Sequence, residues 1–171
     1  TGKFKVIDAA TVALATATSN EVSVTSSAAA AASVKIAFNK ATYAPGEIGL
    51  IVITPLDAAG KALPASTITN ALASGGMTSN VGLTYNGSAV TLTNTTVTTV
   101  AYSGTTTVAG SETIIFTAPL GGGAMTLTAK GGTGLPTAGQ VAITATASVT
   151  DNGAAALAAV NALATTVASL R

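Results

Sequence analysis

The sequence predicts an all-β protein, an antiparallel β-sandwich with an additional strand segment before it and a helix after it. Three observations carry that expectation. The composition favours strands, short β-like runs recur between turn residues, and the periodicity changes after residue 150. Of 171 residues, 37 are Ala and 31 are Thr, whereas Phe and Tyr number three each and Trp is absent. β-branched Thr and Val hold one χ1 rotamer and pack well on a pleated surface, so such a chain builds its core from many small and branched side chains.

Residues 1–32 form the first segment. Phe4, Val6, Val12, Leu14, Val22 and Val24 recur mostly at even spacing, which reads as two or three strands. Residues 26–33 offer no side chain large enough to anchor a core and read as a linker or a short helical connector. The segment is expected to be the end of a preceding domain or a strand donated to a neighbouring copy. A chain opening on Thr1 is expected to have lost a signal or a longer precursor region upstream.

The second segment, 33–150, has the size of one sandwich. Val34, Ile36 and Phe38 alternate with Lys35 and Ala37, and Ala44-Pro45-Gly46-Glu47 makes a turn. Ile48 to Ile53 is nearly all apolar, as a buried strand is, and Asp57 to Lys61 turns the chain again. Further strands are expected at 66–72, 81–85, 89–93, 97–102, 112–117, 124–130 and 140–149. Asn86-Gly87 predicts a two-residue hairpin, because both residues tolerate the positive φ of a type I′ turn. The glycine runs at 121–123 and 131–134 lack the Lys-Ser/Thr of a phosphate cradle and are expected to be hairpin loops.

Lys40-Ala41-Thr42-Tyr43-Ala44-Pro45-Gly46-Glu47, the apolar run to Ile53 and Asp57-Ala58-Ala59-Gly60-Lys61 together resemble the opening of bacterial Ig-like surface repeats. These occur in invasins, adhesins and macroglobulin-type domains. The resemblance spans roughly residues 34–65. It implies an Ig-like sandwich and a place at the cell surface, in an S-layer or extracellular filament-type protein, and it transfers no catalytic residue.

The third segment, 151–171, predicts a helix. Ala156, Val160, Leu163, Val167 and Leu170 are spaced 4, 3, 4 and 3, a heptad seam. Asp151 or Asn152 is placed to cap the first turn, and Arg171 to complement the dipole at the last. A helix this short is marginal alone in water and needs a partner. That partner is its own sheet, a helix of a neighbour, or a continuation of the chain.

Several chemistries are excluded by residue type. With no His and no Cys, the usual base, thiol nucleophile and soft metal ligands are absent. The six acids never lie within three residues of one another, so no local carboxylate pair suggests glycosidase work. No enzyme and no cofactor is therefore expected. Calcium is the one ion worth weighing, at Asp57 or at Asp151 with Asn152, where a turn or capping role explains the same residues. Asn86-Gly87-Ser88 and Asn94-Thr95-Thr96 match the acceptor pattern for N-glycosylation.

Charged residues are 8% of the chain, against ~25% in ordinary soluble domains, and the net charge is +1. That balance attracts neither nucleic acid nor an anionic membrane, and it repels copies of the same chain only weakly. No run reaches the ~18 apolar residues of a membrane-spanning helix. The expected function is therefore a structural subunit of a self-assembling extracellular or cell-surface homopolymer, with contact to cell wall or glycan at its surface. The expected assembly residues are Phe4, Val6, Val12, Leu14, Val160, Leu163, Val167 and Leu170. The alternative is an adhesin or carbohydrate-binding sandwich, which the shortage of aromatic platforms disfavours.

Overall fold

Composition and patterning require a large β-branched surface to be buried between two sheets, and the computed structural model of the chain has that form. It describes residues 2–24 and 30–170. In chain order the elements are β1 (Gly2–Phe4), a 3-10 turn (Val12–Leu14), β2 (Val22–Val24), β3 (Ser33–Phe38), β4 (Thr42–Tyr43), β5 (Ile48–Leu56), β6 (Thr67–Ile68) and β7 (Leu72–Ser79). There follow β8 (Thr84–Tyr85), β9 (Ser88–Ala89), β10 (Val97–Thr98), β11 (Glu112–Thr117), β12 (Gly123–Gly131), a second 3-10 turn (Thr137–Gly139), β13 (Ala142–Val149) and α1 (Asn152–Ser169).

One sheet has the order β3-β5-β11-β8-β9 and the other β4-β13-β12-β7. Read in chain order, the first is the A-B-E-D sheet and β7, β12 and β13 are the C, F and G strands of the immunoglobulin arrangement. All pairs within both sheets are antiparallel except β4 with β13, where Ser148 faces Thr42 and Val149 faces Tyr43 in parallel. β6 and β10 form a separate two-stranded ribbon, and so do β1 and β2.

The alternation expected in β3 is present: Val34 and Ile36 are buried and Lys35 is exposed. On β13, Ala145, Ala147 and Val149 point inward while Thr144 and Thr146 face solvent. Outward threonines pair across strands, Thr128 with Thr144 and Thr126 with Thr146. The Thr78 and Thr128 hydroxyls meet at 2.7 Å. Much of the threonine content is thus the solvent face of a sheet, where such pairs stabilise the ladder.

The core is completed by few large side chains. Tyr43, Ile51, Leu72, Phe116, Met125 and Leu127 are fully buried. Phe38, Tyr43 and Phe116 contact one another edge to face, with Tyr43 and Phe116 centroids 5.3 Å apart. Gly49 is the residue that admits this cluster, since a Cβ there would stand 2.5 Å from the Tyr43 ring and 2.6 Å from that of Phe116.

The motif at 39–50 closes this end. The Tyr43 hydroxyl and the Leu50 N–H both donate to Asn39 Oδ1 at 2.7 Å. Gly46 has φ +76°, and Glu47 accepts the Ala44 N–H at 2.8 Å while pairing with Lys40. At the far end Asp57 shapes its own turn, its Oδ1 accepting the N–H groups of Ala59 and Lys61 at 2.9 Å each.

Several local expectations are corrected. Asn86 and Gly87, at φ 49° and 79°, do form the two-residue hairpin between β8 and β9. The flanking strands, however, are two residues each and not the five expected at 81–85 and 89–93. The runs 66–72 and 97–102 shorten likewise to β6 and β10.

β7 was not expected at all. Its Ala73-Ser74-Gly75-Gly76 stretch carries no apolar alternation, and it bulges there: Leu72 faces Gly131 and Met77 faces Ala129. Gly75 and Gly76 take positive φ, and the segment at 92–95 crosses the bulge, accepting the Met77 and Leu72 N–H groups at Leu92 and Thr95. Residues 121–123 lead from β11 in one sheet to β12 in the other and are not a hairpin loop, whereas 131–134 do lie in the β12–β13 hairpin.

In the first segment Val12 and Leu14 lie in a 3-10 turn and not in a strand. Residues 25–29, in the expected linker, and Arg171, the expected dipole partner, lie outside the described residues.

Candidate assembly surfaces

The eight expected assembly residues divide between two places. Phe4, Val6, Val12 and Leu14 belong to the β1–β2 hairpin and the loop between its strands, and Val160, Leu163, Val167 and Leu170 belong to α1 and its end. All eight are between 53% and 82% exposed. Apolar side chains in that state leave a large unfavourable contact with water that burial against a partner would remove.

The hairpin is built locally. Gly2, Lys3 and Phe4 face Val24, Ser23 and Val22, and Ile7 bridges to Thr18. Lys3 pairs with Glu21 at 2.7 Å. Asp8 accepts both the hydroxyl and the N–H of Thr16, and the hydroxyl's bond first, then backbone hydrogen bonding from Ala17, holds its carboxyl below the ordinary range. Backbone pairing and polar bonds therefore shape the hairpin, and no described side chain of residues 3–22 is buried.

α1 is equally bare. Every described side chain on it is exposed, so it does not cover either sheet of its own sandwich. Val160, Leu163, Ala164, Val167 and Ala168 line a shallow apolar groove along one side.

The chain enters the sandwich at β3 and leaves it after β13 at opposite ends. Ala32, before β3, touches Gly139 next to the start of β13, while Val149, at the end of β13, lies beside Tyr43 and leads into α1. The eight residues of β13 separate these points by about 26 Å at ~3.3 Å per residue.

Sequence reasoning missed part of each surface. Val22 and Leu157 are as exposed as their neighbours, and Ile48 and Leu120 add apolar area at the end from which α1 departs. Leu120 packs near Gly46, and Gly122 lies against Asp151 at the start of the helix. The available signal was a large apolar side chain in a glycine-rich loop, where no alternation demands one.

A polar cleft of about 480 Å³ lies elsewhere, between β7 and β12, lined by Asn70, Ser74, Thr95, Lys130, Thr133 and Gln140 among others. Its polar groups partly satisfy one another or the backbone: Thr95 donates to Asn70 at 3.4 Å and Gln140 to the Leu135 carbonyl at 3.0 Å. No aromatic side chain lines it. Tyr43 is buried, with its phenol pushed above its ordinary value by that burial, and Tyr102 stands exposed in a loop.

Among the described residues no three His, Cys, Asp or Glu side chains gather as metal ligands would. Asn86 and Asn94 are both exposed. No described helix is long and apolar enough to cross a membrane. Compared with protein-family models and with curated proteins, the chain matches none.

Proposed function

We propose that the chain is a structural subunit of a self-assembling polymer at the cell surface or outside the cell, of the S-layer, sheath or filament kind. The single observation that carries this reading is the pair of bare apolar surfaces, one on the segment before the sandwich and one on the helix after it. Two different contact surfaces on one chain join copies head to tail or bridge dimers into chains, and such contacts extend without closing unless the rotation happens to make a ring. The low charge acts in the same direction, because copies meet little repulsion. Catalysis has no part in this reading, nor does any cofactor.

The sandwich edges are a further means of joining, since an edge strand presents unpaired backbone groups to an added strand. β1 or β2 of one copy is the strand on offer. An exposed Asn86 or Asn94 would carry glycan in a host that glycosylates, and contact with cell wall would run over the threonine-rich sheet face. The binding-module alternative rests on the polar cleft, whose lack of an aromatic platform keeps it second.

Negative-stain electron microscopy of the purified chain tests the proposal. Sheets, tubes or filaments are the expected result. Single particles at all concentrations and ionic conditions, together with saturable binding of an oligosaccharide in the cleft, would replace it with the binding module.

A further inference from the structure

We infer that α1 pairs with α1 of a second copy as a parallel two-stranded coiled coil, with Val160 and Val167 at the a positions and Ala156, Leu163 and Leu170 at d. The inference rests on the assembly reading above and names the partner of one of its surfaces.

The choice of partner follows from three features. First, the seam alternates β-branched and γ-branched side chains in heptad register. Val at a with Leu at d packs best when two parallel helices meet, because each knob then enters its hole with the Cα–Cβ bond in the preferred direction. Second, the helix from Asn152 to Ser169 has no Asp, Glu, Lys or Arg. Parallel self-pairing sets g of one helix beside e of the other, and with no charge at either position nothing there repels a second copy. A partner recognised through opposite charge would find nothing to grip. Third, Ala159 and Ala164 flank the seam at g and e, so two copies can approach closely.

Area sets the strength of this contact. Burying a Val or Leu side chain removes roughly 60–120 Å² of apolar surface, so the four large knobs of each helix remove on the order of 500–1,000 Å² in a pair. Stable interfaces bury about 1,200–2,000 Å². The helix pair alone is consequently weak, and it closes where another contact already holds copies together. The hairpin before the sandwich supplies such a contact. Helix pairing and hairpin contact then serve as two distinct links in one polymer.

The absence of cysteine makes the test direct. Full-length chains carrying Val160→Cys or Val167→Cys place two thiols face to face in a parallel, in-register pair. Thr165→Cys, on the outer f position, does not. Under mild oxidation each a-position variant should form disulfide-linked dimer at least ~10-fold faster than the Thr165→Cys control, since pairing raises the local thiol concentration toward ~mM.

Equal rates in all three variants would overturn the inference. So would cross-linking that appears only when Val160→Cys chains are mixed with Leu163→Cys or Leu170→Cys chains, because an antiparallel pair sets a against d. Micrographs of the same samples separate the two levels. Polymers without a-position cross-linking sink the helix pair and leave the assembly reading intact, whereas cross-linked pairs that never extend sustain the helix pair and sink the polymer.

Discussion

The sandwich and its two appendages use the same few residue types in opposite ways. On β13, Ala145, Ala147 and Val149 are buried in one core with large side chains of the facing sheet such as Phe116 and Ile51. On α1, alanines and valines of the same size stand in water, because no sheet lies over them. Burial is therefore decided by what stands opposite and not by hydrophobicity alone. A small side chain stabilises the fold only where a large one reaches across to it. The hairpin makes the same point, with Phe4 as exposed as Leu157 and Val160 of the helix.

If that contrast is correct, substitutions in the two regions should have effects of different size and kind. The largest belongs to the aromatic cluster. Phe116→Ala should remove about 3–5 kcal/mol of stability, as truncation of a fully buried Phe does, and chemical denaturation would read it. A loss below 1 kcal/mol would mean the two sheets are not closed over this ring.

Gly49→Ala comes next, with an expected cost of about 1–3 kcal/mol, because the new methyl overlaps the rings of Tyr43 and Phe116. The same measurement applies, and a neutral result would show that the cluster has room to shift.

In the appendages the sign of the comparison reverses. Leu163→Asp with Val167→Asp should leave the unfolding free energy of the sandwich within about 0.5 kcal/mol of the parent, as exposed substitutions do. Association, followed by sedimentation at several concentrations, should fall. A destabilised monomer with unchanged association would move α1 into the core of its own domain and erase the contrast.

The smallest effect concerns the turn at the base of the helix. Glu47 is held below its ordinary value near 4.5 by its bond to Lys40 and then by the Ala44 N–H. A depressed carboxyl contributes stability that is complete above its unfolded value and fades as the pH falls through its folded one. The midpoint should thus decline slightly as the pH drops below about 4.5, more in the parent than in Glu47→Gln. Identical acid profiles would show that this exposed pair adds nothing to the sandwich.

Local periodicity was enough to read β3, β5, β12, β13 and α1, because each repeats its own pattern over six or more residues. The Asn86-Gly87 turn was legible for a similar reason, since its positive φ angles are a property of two adjacent residues. β7 was not, because its bulge exists to let residues 92–95 cross it, a demand made by a segment some twenty residues away. The strands at 84–85, 88–89 and 97–98 shortened because their neighbours are drawn into that crossing or into loops, which no alternation records.

The candidate surfaces divide along the same line. The sequence alone determined which side chains are apolar, their 4-3-4-3 spacing in the helix and the near absence of charge around them, because these are facts of order along the chain. Only the tertiary structure decided that the helix stays off both sheets, that the hairpin pairs with itself, and that the chain enters and leaves the sandwich at opposite ends. Those outcomes depend on which faces the sandwich has already covered, and covering is a relation between residues far apart in the chain.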